Sequence, residues 1–313
     1  MTAKISQFYL QLNPNALENV RKEFNLHRLG EMDQCIDILN DWIKKQDHFV
    51  KKDLPREYLE STIISAKGSV EVAKKRIDRL FTLQTMSPNL FLKCHATIDF
   101  PNLRNFFLMI TMPYPFEDNS RLNVGKLMTK SITPSDCLAT YQHLRIILEY
   151  IKLHDYCIGY HAIYDLGDVN ISYLISNIDW IDLRSAIDML IEVYGFRVMS
   201  FYLISPSKMI NALVTLVKQI VSEKIGKRIH VVKKYEDLHR VMPKQFLPKD
   251  FGGEQKSILD LYDEMNEFLT SAHHLAHMEE MKNARTIEEL RSSDNFNTEY
   301  LGMSGSFKML NVD

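Results

Sequence analysis

Residues 197–232 read RVMSFYLISPSKMINALVTLVKQIVSEKIGKRIHVV, and this stretch decides the class of fold. Arg197 to Ile204 is a short run rich in β-branched and aromatic residues, and Arg228 to Val232 is a second. Between them, behind the break at Ser205-Pro206, a helical segment runs from Ser207 to Glu223. Upstream the same alternation recurs. Further strands are predicted at Phe106 to Met112, Leu122 to Met128 and Cys157 to Leu166. Helices are predicted from Ser135 to Leu153, with Thr133 or Ser135 as N-cap, and from Ser172 to Tyr194, broken near Asp179. Strand and helix in alternation predict an α/β domain with a largely parallel sheet.

On either side of this core the pattern is helical. Over residues 30–90, Ile36, Leu39 and Ile43 recur at three and four, and Val70, Ala73, Ile77 and Leu80 do the same after a loop containing Leu54-Pro55. Lys74, Lys75, Asp78 and Arg79, on the other side of that second stripe, are read as a solvated face. After the core come a helix from Gln255 to Leu269 and another through SAHHLAHMEEM; beyond Ser292 the composition predicts a loosely held tail. The expected division is a helical domain over residues 1–95, an α/β domain over 96–270, and a C-terminal helix and tail over 271–313.

Composition excludes more than it selects. With 38 basic and 40 acidic residues the formal charge is −2, so no global field recommends a nucleic acid. No signal pattern opens the chain and no apolar run is long enough to span a bilayer, so a cytoplasmic protein is expected. Cys35, Cys94, Cys137 and Cys157 lack a paired spacing and are read as free thiols.

The segment Ser207 to Glu223 has an excess of apolar surface. Asn211, Thr215, Lys218 and Ser222 form one narrow polar stripe, while Met209, Ile210, Ala212, Leu213, Val214, Leu216, Val217, Ile220 and Val221 cover the rest. That arc is far wider than the roughly 100° needed to seal one core. Two accounts fit it: a helix buried on nearly all sides, or a lid with one apolar side on a bound lipid and the other toward a membrane. Lys224, Lys227 and Arg228 follow at a spacing that shares a face if the helix continues, and a basic face beside an apolar one suits reversible docking on an anionic bilayer. An ordinary helix end that favours cations accounts for the same residues.

The run LPKDFGGE, Leu247 to Glu254, resembles the LPxEYGG signature that closes the lipid-binding domain of CRAL-TRIO proteins. LVKQIVSEKIGKRIHVV, IYDLGD, EVYGFRV and, at the front, ISAKGSVEVAKKRIDRLF are similar to further elements of that family, in family order over about residues 50 to 270. The chain looks most like the branch that holds the alpha-tocopherol transfer protein, clavesin and cellular retinaldehyde-binding protein, with the divergence of its insect members. The resemblance implies a small all-helical N-terminal domain and an α/β lipid-binding domain. In the latter a mostly parallel sheet floors a hydrophobic pocket under a mobile gate helix, here the wide-arc segment.

The resemblance also assigns residues. Ile146, Tyr160, Tyr164, Ala186, Met189, Leu190, Val198 and Phe201 stand at pocket-lining positions, joined by Ile210, Leu213, Val214 and Val217 of the gate; each also fits plain core. The hydroxyls of Tyr160 and Tyr164 are candidates to orient a headgroup. Lys67, Arg197, Lys218, Lys224 and Arg228 stand at the positions that engage a phosphoinositide, although Met199 replaces a further basic residue. Ser65 and Lys67 replace arginines, Gly195 replaces a proline, and Ser205-Pro206 replaces Asn-x-Pro, leaving Ser205 or Ser207 to cap the gate.

Other signals carry less. His273, His274 and His277 could present a metal pair, but a solvent-exposed or partly packed helix is expected, and no metal or cofactor is. LGMSGS in the tail is not a hydrolase elbow, no phosphate loop is present, and the strand-ending Asp165 has no evident partner, so no enzyme is expected. The expected function is binding and intermembrane transfer of one hydrophobic small molecule (tocopherol, retinoid, carotenoid or sterol class) by a monomer. Its release would be coupled to an anionic, phosphoinositide-containing membrane. The alternative is a lipid-sensing interaction module or phospholipid exchanger that delivers no cargo.

Overall fold

The computed structural model describes residues 8–292; the expected loose tail and LGMSGS lie outside them. Four helices open the chain: α1 (Ala16–Glu23), α2 (Glu31–Lys44), α3 (Arg56–Ser65) and α4 (Val70–Met86). The predicted stripes close on one another, since Ile36, Leu39, Ile43, Ala73, Ile77 and Leu80 are all buried. A short α5 (Leu103–Phe106) leads into β1 (Phe107–Thr111) and β2 (Arg121–Leu127), followed by α6 (Pro134–His154) and β3 (Tyr160–Asp165). Then come α7 (Ile171–Asn177), α8 (Trp180–Asp188), β4 (Val198–Ile204), α9 (Ile210–Ile220), α10 (Glu223–Gly226), β5 (Ile229–Val232), α11 (Tyr235–Leu238), α12 (Ile258–Leu269) and α13 (Ala272–Met281). All five predicted strands form one sheet in sequence order, β1 antiparallel to β2 and the rest parallel.

Local chemistry sets the boundaries. Thr133 caps α6 in a reciprocal capping box with Asp136, and Pro134 takes the first helical turn where its missing N–H costs nothing. Asp179 accepts from the amides of Ile181 and Asp182, so the predicted break is a restart, α7 ending and α8 beginning on a new cap. Past α8 the chain widens into one π turn, Met189–Val193.

LPKDFGGE makes a tight corner. Leu247 and Phe251 are fully buried, Gly252 sits at φ 71°, and a Cβ on Gly253 would lie 2.0 Å from the carbonyl oxygen of Leu247. Only glycine fits both places. The corner and the segment before it close one face of the sheet: Asp250 pairs with Lys126 at 3.0 Å, Phe246 lies 4.4 Å from Phe116, and Tyr235 donates to Asp165 at 2.7 Å.

The two halves are stitched together. Arg121, at the start of β2, is wholly buried and donates through Nε and Nη2 to Asp155, at 2.8 and 2.7 Å, while its other donors reach the carbonyls of Gln11, Met112 and Pro113. The predicted solvated face of α4 is corrected: Asp78 is buried, holds Arg291 at 2.8 Å and meets His48 at 3.1 Å, while Arg79 pairs with Glu192. Periodicity could not foresee a covering segment some two hundred residues later. The histidine helix is partly packed, one of the two states expected. His274 and His277 of α13 are buried, His277 bonding Glu149 at 2.8 Å, and only His273 is exposed. The four cysteines form no disulfide, as expected.

Candidate functional site

Alternation along the strands puts Ala162 and Tyr164 of β3 on the same face as their partners Phe201 and Leu203 of β4. Tyr164 is the hub of this floor, its ring 5.0 Å from Phe201 and 5.8 Å from Phe107. Close approach is possible because β2 supplies Gly125, where a Cβ would stand 2.7 Å from Phe107 and 2.8 Å from Tyr164. The nearest acceptor for the Tyr164 hydroxyl is the Met109 sulfur at 3.8 Å, so this phenol has no oxygen partner among the described residues. Burial raises its pKa to about 12.

Of the expected pocket residues, Ile146, Met189, Ile210, Leu213 and Val214 are buried in the continuous core, and Ala186 is buried as well. Tyr164, Leu190, Val198, Phe201 and Val217 are only half-buried, although β3 and β4 are interior strands. Tyr160 behaves differently. Its ring stacks on Phe196 at 3.9 Å and its hydroxyl donates to Asp155 at 3.3 Å, so that hydroxyl belongs to the Arg121–Asp155 pair and is not free to orient a headgroup.

The segment expected to form a gate is shorter than its periodicity predicts. The helix starts at Ile210, packs against α7 and β5, and has no side-chain cap of its own; Ser207 accepts from the Met209 amide and Ser205 from the Ser207 amide in the approach. Neither serine is therefore the N-cap. At the other end the chain turns extended at Val221, and Ser222 caps the separate helix α10. The expected continuous face of Lys224, Lys227 and Arg228 is thus not formed. Lys227 turns to Glu223 at 2.6 Å and Arg228 folds back on the carbonyl of Val198. Along α9, Ala212, Leu216, Val217 and Ile220 remain half-buried and the preceding Met209 is exposed, so the wide apolar arc is only partly covered.

A basic edge does assemble beside this helix. Lys67 loses proton affinity chiefly through Arg197, then through burial, Lys224, Arg228 and Arg76, which places five cations in one field. Lys67 holds φ 55° just before Gly68 at the end of α3, a left-handed conformation that a lysine rarely adopts. Lys218 stands on the exposed side of α9, its stem against Gly226. Met199 packs over Gly159.

Behind this edge a cavity of about 40 Å³ opens between α3, the end of α6 and the start of β4. Of the residues expected in a site, it takes in Tyr160, Lys67 and Arg197; it also takes in Ser65 and Gly195, noted in the sequence only as departures from the family pattern, and Lys152 and Asp155, which sequence reasoning did not single out. The apolar run around Lys152 hid it. From Gln142 to Lys152 every residue of α6 is buried, so no polar stripe marks the functional side.

Among the described residues no helix is long and apolar enough to cross a membrane, and no cluster of three or more His, Cys, Asp or Glu could hold a metal. No curated protein matches the chain. A solved structure that does is the crystal structure of Sfh5, 13% identical, with a TM-score of 0.47, covering 74% of this chain and 90% of that one. A family model described as CRAL/TRIO domain matches residues 120–253.

Proposed function

This chain carries a CRAL/TRIO domain at residues 120–253, and from that premise we propose that it carries a single tocopherol-, retinoid-, carotenoid- or sterol-class molecule between membranes, without a reaction of its own. Binding of lipids and small hydrophobic ligands is the general property of such domains. What carries the finer reading is the incomplete burial of Tyr164, Leu190, Val198, Phe201 and Val217. Tyr164, Val198 and Phe201 lie on interior strands, and apolar side chains that keep accessible surface gain roughly 25 cal/mol for each Å² a hydrophobic guest removes from water. The half-covered arc of α9 supports its role as the gate, and Lys67, Arg197, Lys218, Lys224 and Arg228 beside it support unloading on an anionic, phosphoinositide-containing surface. Absence of chemistry is supported at Asp165, whose oxygens are held by Tyr235 and by the Gly167 amide.

The test is solvent extraction of protein purified from its native tissue, followed by mass spectrometry and an absorbance scan. A stoichiometric hydrophobic compound is expected, a polyene marking a retinoid or carotenoid and a colourless sterol or tocol marking the other classes. Protein that extracts empty and takes up none of these compounds on reconstitution refutes the reading.

A further inference from the structure

Lys152, near the end of α6, is a buried amine without a counter-charge. It is 5% exposed, and its nitrogen meets only the hydroxyls of Ser65 at 3.1 Å and Thr62 at 3.4 Å, with the Tyr58 ring 6.0 Å away. The carboxylates nearest in the chain are taken: Glu149 by His277 at 2.8 Å and the Tyr194 hydroxyl at 2.5 Å, Asp155 by Arg121 at 2.7 Å. The neighbours that remain are positive. The half-buried Arg76 donates to the same Ser65 hydroxyl at 2.7 Å, and Lys67 and Arg197 line the cavity that Lys152 also lines. Burial and then Arg76 bring the pKa of Lys152 down to about 7. At neutral pH about half of the molecules therefore hold it as the free amine, a fraction roughly a thousandfold above that of an exposed lysine.

A free amine on a cavity wall is a nucleophile, and the cavity decides what it can meet. The thiol of Cys157 on the same wall is held protonated by burial, so the amine is the nucleophile available there. A volume of about 40 Å³ admits about three water-sized atoms at roughly 10–15 Å³ each, so the electrophile must be very small. The sign of the product matters as much as its size. An aldehyde would leave a protonated imine and restore a positive charge among positive neighbours. Carbon dioxide has three heavy atoms and leaves an anion, the charge that this buried site lacks.

We propose that Lys152 is a carbon dioxide-binding site, its side-chain nitrogen adding the gas to become a carbamate. The nitrogen lone pair forms the N–C bond, one C=O electron pair moves onto oxygen, and one amine proton passes to water; no oxidant or reductant is consumed. The side chain thereby changes from a cation or a neutral amine to an anion. Its new carboxylate is the missing partner of the surrounding cations, and the Arg76 guanidinium has N–H groups beyond the one given to Ser65 with which to hold it. Dissolved carbon dioxide would in this way set the net charge behind the basic edge. The modification requires no cargo, so it and the proposed carrier activity stand or fall separately.

The test equilibrates the full chain with isotopically labelled bicarbonate at neutral pH and treats it with a trialkyloxonium reagent, which converts a carbamate into a stable ester. Its peptides are then read by mass spectrometry. A labelled ester on Lys152 is expected, at an occupancy at least about a hundredfold above that of the exposed Lys208 and Lys244, given the difference in free-amine fraction. The label should leave residue 152 when the chain is unfolded in urea, where the amine regains its ordinary pKa. It should fall about tenfold in folded Arg76→Gln, the effect of one pKa unit at the amine. Because the principal readout is taken on the wild-type protein, loss of fold in a variant does not confound it. An ester on Lys152 no more abundant than on Lys208 and Lys244, or equally abundant in urea, overturns the proposal. Undiminished labelling in folded Arg76→Gln overturns the part given to the neighbouring cations.

Discussion

Lys152→Met is expected to stabilise the protein by an amount that depends on pH. Burial, reinforced by the positive charge of Arg76 and opposed by Glu149, holds the Lys152 ammonium at a pKa of about 7, against 10.5 in a solvated chain. The folded-state pKa is depressed, so between these two values the unfolded chain binds one more proton, and wild-type stability rises with pH at about 1.4 kcal/mol per unit. Methionine fills the same channel beside the ring of Tyr58 and has no proton to bind. The variant should therefore be more stable near neutral pH, by up to about 4 kcal/mol as an upper bound, and the gap should shrink by about 2 kcal/mol from pH 7.5 to pH 9. Below about pH 6 both states carry the charge and the gap should level off. Urea unfolding followed by the fluorescence of Trp42 and Trp180 at a series of pH values measures this directly. Parallel wild-type and variant curves across that range, or a variant less stable than wild type at neutral pH, would show that Lys152 is not an uncompensated buried charge.

Asp155→Ala leaves Arg121 fully buried without its carboxylate and should cost about 3–5 kcal/mol in urea unfolding, a loss that would be absent if water reaches the guanidinium. Burial depresses the imidazole pKa of His143 and His154 to about 4 and of His274 to about 3, while the unfolded imidazoles titrate near 6.5. Stability should accordingly fall as pH drops below about 6.5, by about 1.4 kcal/mol per unit for each of the fully buried His143 and His274; a flat unfolding temperature from pH 6.5 to 4.5 contradicts it. Gly125→Ala must displace the ring of Phe107 or Tyr164, so binding of a fluorescent polyene should weaken about tenfold with an unchanged circular dichroism spectrum, and unaltered binding would move the cargo off this floor.

The sheet was legible because each of its strands is a short β-branched or aromatic run between helical stretches, and the corner at Gly252 and Gly253 because only glycine fits there. Periodicity failed where burial is complete. In α6 every position from Gln142 to Lys152 is covered, so Lys152 carries no sign of which neighbours it meets. It failed again where a distant segment supplies the cover, as for Asp78 under Arg291 and His277 against Glu149. The basic residues were found one at a time through their family positions. Lys67 and Arg197 meet Lys152 at one cavity and Arg76 meets it at the Ser65 hydroxyl, a convergence that depends on Ser65 and Gly195 being small, which no spacing rule encodes.

The partnership of Asp78 with Arg291 also bears on how the chain comes into being. Arg291 leaves the ribosome 213 residues after Asp78, which at about 5–20 residues per second is roughly ten to forty seconds later. Throughout that interval the Asp78 carboxylate lacks the guanidinium that later neutralises it, and Phe49 lacks Thr286, with which its backbone pairs. The helices made first are therefore finished last. The helical bundle should therefore reach its full resistance to urea only in chains long enough to include Arg291.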